Sequence, residues 1–265
     1  MAENILEKIA AAKKEEIAAA RKREPASALR NRAEQREGQR PFIGRLRQAH
    51  ENGIGIIAEI KRASPSKGII RGDMDAGDYA RRYEAGGAAA ISVLTDQQFF
   101  KGFLDDLVAA RKAVSLPVLR KDFLIDPYQF YEAAAAGADA ALLIVRMLSS
   151  EQLTDLLALC RELRLDPLVE VHDAADLDKA TAAGAELIGI NNRDLKTFKT
   201  DIAVATRLVS QFRDGQVPVA ASGISTADDI RATRKAGINI FLIGESIVRA
   251  EDTVGFLRGL IKGAE

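Results

Sequence analysis

From residue 54 onward the sequence repeats one grammar: a short apolar run, a few polar or glycine residues, an amphipathic segment, and a glycine ahead of the next apolar run. The runs are Ile54 to Ile60, Ala88 to Leu94, Leu116 to Lys121, Ala138 to Val145, Pro167 to Val171, Ala185 to Asn191, Val217 to Ala221 and Asn239 to Gly244. The first is apolar on both parities, the pattern of a parallel strand covered on both faces. The segments between them end in Gly86, Gly137, Gly184 and Gly237, where a glycine in the left-handed region stops a helix just before a strand. YEAGGAAA, AAAAGADAALL, TAAGAELIGI and RKAGINIFLIG are variations on that junction. Strand and helix alternating through eight units require parallel strands with right-handed crossovers. Eight units can close on themselves, so the predicted fold is α/β, a (β/α)8 TIM barrel. The runner-up, an open doubly wound sheet, lacks the expected G-x-G-x-x-G after its first strand.

A chain of 265 residues has room for two small domains, but one barrel commonly fills this length. The repeat assigns 1–265 to a single barrel domain, with 1–53 as an N-terminal helical extension. Residues 3–23, ENILEKIAAAKKEEIAAARKR, are almost all strong helix formers, with Ile5, Leu6, Ile9, Ala12 and Ile17 at helical spacing. The lysines and glutamates on the other side read as a solvated face. Arg40, Pro41 and Phe42 lead into a second short helix ending near Gly53 and are candidates to pack over a barrel mouth, which their spacing alone does not establish.

Apolar residues are 47% and charged residues 29% of the chain, enough for a large core and against disorder. Lys plus Arg and Asp plus Glu both number 38, so nothing marks a nucleic-acid binder, and any anion must be held by local groups. The N-terminus has no apolar signal region and no stretch reaches membrane-spanning length, so the chain is expected in the cytoplasm and off the membrane. Cys160, the one cysteine, follows a helical pattern with Leu156, Leu157 and Leu163 and reads as a buried small hydrophobe. Metal binding is not expected: His50 and His172 are the only histidines, and His172 is expected on the strand face opposite Glu170.

Within this frame, polar residues collect at the carboxyl ends of the strands, where a barrel carries its function. Strand one ends in Glu59 and Lys61, strand three in Lys121, strand five in Glu170 and strand six in Asn191. By strand alternation Glu59 and Lys61 share a face with Gly55 and Ile57, Lys121 with Leu119, Glu170 with Leu168, and Asn191 with Gly189. A single strand-end lysine is an ordinary rim residue. Two lysines and two glutamates in one cavity are another matter, because charges out of water must pair or change protonation, the condition for acid and base catalysis.

The last two units carry a different signal. Ser222, Gly223 and Ile224 follow strand seven, with Ser225 and Thr226 as helix caps, and Gly244, Glu245 and Ser246 open the final helix. Glycine lets backbone N–H groups approach a ligand, and two adjacent helix N-termini favour an anion, so a phosphate seat is expected there. Glu245 is expected to contribute its N–H and turn its side chain away.

Taken in order, AEIKRASPSKG, SVLTD followed by FFKG, LPVLRKDF, ALLIVRML, LVEVH, LIGINNRDL, ASGIST and FLIGES resemble indole-3-glycerol phosphate synthases of tryptophan biosynthesis, over nearly the whole chain. That family consists of phosphate-binding barrels needing no cofactor. They close the ring of 1-(2-carboxyphenylamino)-1-deoxyribulose 5-phosphate, releasing carbon dioxide and water to give indole-3-glycerol phosphate. The resemblance implies a general acid at Lys121, protonating the substrate carbonyl oxygen as the aromatic carbon attacks it. It implies proton removal around the dehydration by Glu170, and at Lys61 a partner for the anthranilate carboxylate and the departing hydroxyl. Glu59 and Asn191 match groups holding substrate hydroxyls and the lysines. Ser64, Ser222, Gly223, Gly244 and Glu245 fall on phosphate-binding segments, with Arg193 near the ribulose. Phe100, Leu119, Phe123, Leu142 and Ile144 match the apolar wall for the anthranilate ring. A small phosphorylated substrate, a monomer and association with enzymes of the same pathway are the partners this implies.

One position departs from that pattern: the family places glutamate before the S-G-I serine, and this chain reads VAASGIS, with Ala221 there. A weakened enzyme is expected, since Lys61, Lys121 and Glu170 remain. Two other readings stand beside it, a phosphoribosyl-isomerase-like barrel enzyme and a non-catalytic phosphate-ligand binder. The isomerases use an Asp or Cys acid/base pair, and this chain offers Lys and Glu.

Overall fold

A computed structural model describes residues 5–194 and 197–264. Eight strands form a closed parallel barrel: β1 (Gly55–Ile60), β2 (Ala90–Leu94), β3 (Val118–Lys121), β4 (Ala140–Ile144), β5 (Asp166–Val171), β6 (Leu187–Asn191), β7 (Val217–Ala221) and β8 (Ile240–Ile243). Neighbours in sequence pair in order, and β1 closes the ring by pairing Gly55 with Ile240 on one side and Ile57 with Ala90 on the other. All eight expected strands are present, several trimmed by a residue or two where the chain leaves the ladder. Alternation sorts the side chains as expected. Ile57, Leu119, Leu142, Leu168, Leu187 and Val219 fill the lumen, while Ile56, Ala58, Val93, Leu143 and Val169 face the surrounding helices.

Helix ends follow local chemistry. Asp126 caps Pro127–Ala135, accepting from the Tyr128 N–H at 2.8 Å, and proline at the first position suits its fixed φ. Gly137, Gly184 and Gly237 take positive φ, as a left-handed stop requires, but at the first junction it is Gly87 (φ 91°) and not Gly86 that does so. Gly86 caps the helix Ala76–Ala85 in right-handed geometry, and it is small for packing: a Cβ there would sit 2.8 Å from Leu257. At the other end of the chain, Gly244 does not open the final helix. It precedes a five-residue helix, Glu245–Arg249, and the last helix is Thr253–Gly263.

Among the described residues the N-terminal extension has three helices, α1 (Ile5–Arg23), α2 (Ala26–Glu34) and α3 (Phe42–Asn52). Helix α3 stoppers the barrel at the amino ends of its strands. Its Phe42 and Leu46 are fully buried in the lumen cluster. Asp139 and Asp166, at the starts of β4 and β5, accept from the Arg40 and Ile43 N–H groups, both at 2.8 Å. Burial pushes both carboxyls above the usual aspartate range despite those bonds. Helix α1 crosses the opposite end, and here the expected solvated face fails at one position. Lys13 is buried, because the strand ends beneath α1 offer it carboxylates. Cys160 is buried as expected, and burial pushes its thiol up.

Candidate active site

At the carboxyl end of the barrel the strand-end charges meet. Lys61 Nζ lies 2.8 Å from Glu59 Oε1, and Lys121 Nζ lies 3.9 Å from Glu59 Oε2 and 4.0 Å from Glu170 Oε2. Asn191 Nδ2 donates to Glu170 Oε1 at 3.0 Å, and its own Oδ1 accepts from the Arg193 N–H at 3.0 Å. Glu59 is buried, which by itself raises a carboxyl pKa. Lys61, then Lys121, outweigh that and hold it below the usual glutamate range. Three strands, β1, β3 and β5, thus deliver two ammonium groups and two carboxylates to one point, each charge with an opposite partner, and β6 adds the Asn191 amide.

These groups line a cavity of about 410 Å³. One side is apolar: Phe100, Phe123, Leu142 and Ile144 come from the barrel, and α1 adds Ile5, Leu6 and Ile9. Phe100 and Phe123 meet in a tilted ring pair with centroids 6.1 Å apart. Leu119 does not line the cavity. It lies one pleat below Lys121, packed in the lumen cluster, because residues two apart on a strand share a face at different depths.

The opposite side is made of loop backbone and short polar side chains: Ser64, Ser66, Ser222, Gly223, Gly244 and Glu245. Ser222 and Gly223 both have positive φ, 67° and 81°. For serine that backbone is strained, costing about 1–3 kcal/mol, and such strain collects at functional sites. Asn192, turned outward by parity from Asn191, ties this loop down by donating to Ser222 O at 3.0 Å and accepting from the Ala205 N–H at 3.0 Å. Arg193 reaches across to Ser66, whose Oγ accepts from Nη1 at 2.7 Å; Ser64 is buried beside it. The Glu245 side chain accepts from Arg249 Nε at 3.1 Å, and both residues border the cavity.

His172 corrects an expectation. Residues 170 and 172 are two apart and share parity, so the imidazole lies beside Glu170, with Nε2 3.4 Å from Glu170 Oε1 and Nδ1 3.5 Å from Asp176 Oδ2. Ala221, paired with Asn191 across β6 and β7, borders the cavity where the resemblance expects a carboxylate. The helix α1 residues, Lys13 and Asn192 escaped the sequence reading. The Ile5, Leu6 and Ile9 stripe and the second asparagine of IGINNRDL were the signals available. Among the described residues no group of three or more His, Cys, Asp and Glu side chains is arranged to hold a metal ion, and no helix is long and apolar enough to cross a membrane.

Comparison with known proteins places this cavity in context. The barrel resembles a solved thiamine phosphate pyrophosphorylase from Pyrococcus furiosus, with TM-score 0.59 and 16% identity over 81% of this chain and 96% of that one, a likeness of fold alone. An indole-3-glycerol phosphate synthase from Desulfosudis oleivorans is 64% identical over 97% of this chain and 98% of its own. Another, from Laribacter hongkongensis, is 51% identical over 94% of this chain and 95% of its own. The family model described as indole-3-glycerol phosphate synthase matches residues 6–260, and the chain accordingly belongs to the indole-3-glycerol phosphate synthase family.

Proposed function

We propose that this chain converts 1-(2-carboxyphenylamino)-1-deoxyribulose 5-phosphate to indole-3-glycerol phosphate, with loss of carbon dioxide and water. The observation that carries the reading is the meeting of Lys61, Lys121, Glu59 and Glu170 between an apolar wall and a loop-backbone seat. The substrate has the same three parts in the same order: an aromatic ring, a reacting carbonyl and a phosphate. Lys121 gives its proton to the carbonyl oxygen as the ring carbon bonds to the carbonyl carbon, which leaves a neutral hydroxyl. Carbon dioxide then departs and returns its electron pair to the ring. In the dehydration Glu170 takes a proton while Lys61, which first pairs with the anthranilate carboxylate, protonates the leaving hydroxyl. Glu59 holds both lysines in place, and Asn191 orients Glu170.

Ser64, Ser222, Gly223, Gly244 and Glu245 take the phosphate, with Arg193 on the ribulose side and Phe100, Phe123, Leu142 and Ile144 against the ring. On this reading residues 1–265 act as one domain, a cytoplasmic monomer on a small free substrate with no resident cofactor, open to association with enzymes of the tryptophan pathway. Indole fluorescence with the carboxyphenylamino substrate tests it. The wild-type chain forms product, and Lys121→Met lowers kcat by about 10²–10⁴-fold, the range for a lost general acid. No product from the wild-type chain would sink the reading.

A further inference from the structure

The charged group most at odds with its surroundings lies outside the reacting cluster. Lys13 on α1 is nearly inaccessible, its side chain 2% exposed. Its Nζ lies 2.6 Å from Asp96 Oδ2, 2.9 Å from Asp122 Oδ1 and 2.8 Å from Glu16 Oε2. Burial alone would lower its pKa, but Asp122 and Asp96 outweigh it and the ammonium is held above the usual lysine range. A buried ammonium is costly, and removing one partner of such a cluster leaves uncompensated charge, so its place in the fold is informative.

Each partner belongs to a segment that shapes the apolar end of the cavity. Asp96 caps the single turn Gln97–Phe100, accepting from the Phe99 and Phe100 N–H groups at 2.6 and 3.1 Å, and so sets where the Phe100 ring stands. Asp122 lies between Lys121 and Phe123 in the chain. It accepts from Thr95 Oγ1 at 2.6 Å and from the Phe123 N–H at 2.8 Å. Ile9 stands one turn before Lys13 on the same helix face, and Ile5 and Leu6 continue that stripe over the cavity. One ammonium therefore joins three separate stretches of chain, and every one of them presents an apolar side chain to the same space. The Ser222–Gly223 loop at the other end is held by Asn192 instead.

We propose that Lys13 is a positioning residue for aromatic-ring recognition, clamping α1, the Phe100 turn and the Phe123 end of β3 into one wall. The inference rests on the proposed reaction for the identity of the ring, but it concerns binding and is tested without turnover. Full-length wild-type and Lys13→Met proteins are titrated with two probes, anthranilate by fluorescence and inorganic phosphate by calorimetry, with circular dichroism melts to establish that both are folded. Lys13→Met weakens anthranilate binding by about tenfold, a size seen when outer supporting partners are lost, and leaves phosphate binding within twofold. With the substrate, KM rises by the larger factor and kcat by contrast changes little. A residue that only stabilised the fold would move both probes together or neither, and either result overturns the proposal, as does a wild-type chain that binds no anthranilate. If Lys13→Met does not fold, Asp96→Asn, which keeps the shape and removes one of the facing charges, carries the same comparison. Turnover by the wild-type chain separately decides the proposed reaction.

Discussion

Ala221 stands where the family resemblance leads to the expectation of a carboxylate. It lies on the cavity side of β7, in register with Asn191, close to the groups that hold Glu170. Ala221→Glu is expected to raise kcat/KM by roughly tenfold, the lower bound for supporting partners of reactive groups; steady-state kinetics showing an unchanged or lower value would remove this reading. Glu59 makes a second test, through pH. Its folded-state pKa lies below the ordinary value of 4.5, so its ionisation stabilises the fold in full above 4.5, and that stabilisation is lost as the pH falls from there through the lower folded-state value. Lys61→Met removes the nearer of the two cations. Melting temperature is then expected to fall most at pH 7, with the gap to wild type closing only as the pH drops below 4.5 and on through the lower folded-state pKa, where Glu59 itself takes up a proton. A gap constant across that range would show that Glu59 is held by something else. Lys61, Lys121, Glu59, Glu170 and Asn191 were all legible from parity and strand ends. Lys13 was not, because a lysine on a charged helix face carries no mark of what lies beneath it.

At the level of elements, the glycines around the site separate two kinds of work. Gly244 has an ordinary φ of −128°, yet an added Cβ would lie 2.5 Å from Glu59 Oε1. Gly244→Ala should therefore displace Glu59 from Lys61 and cut kcat/KM by about 10–100-fold. Gly259→Ala, in the open on Thr253–Gly263 with nothing within 4 Å, should leave kinetics untouched and stabilise slightly through helix propensity. Equal kinetic effects of the two would contradict the close approach of β8 to Glu59. The eight strands and their helices were readable because each unit repeats the same local signals: apolar run, cap, glycine stop. The one-residue shift from Gly86 to Gly87 was not, since both glycines satisfy the sequence rule and Leu257, far along the chain, decides which of them is pressed against a neighbour.

Across the whole molecule, stability and chemistry occupy opposite ends of the barrel. Helix α3 closes the amino ends of the strands with Phe42 and Leu46, and α1 covers the carboxyl ends, where the charges lie. Phe42→Ala should cost about 3–5 kcal/mol of stability by leaving a lumen cavity. Its kcat at 25 °C should stay within about twofold of wild type, because function in this fold sits at the other end. Loss of both together, in a variant still folded by circular dichroism, would show the two ends to be coupled.

Residues 54–244 carry in their order alone the barrel, the inward side of each strand and the charges at the strand ends, since these follow from periods of two and of about three and a half, and from glycine stops. Which mouth α3 fills, that Leu119 lies beneath the cavity floor, that His172 stands beside Glu170 and Asp176, and that Lys13 is drawn under α1 by Asp96 and Asp122 depended on the folded chain. Each of those is a meeting of residues remote in sequence or a matter of depth, and local pattern records neither. Burial turns such meetings into energies large enough to choose among them.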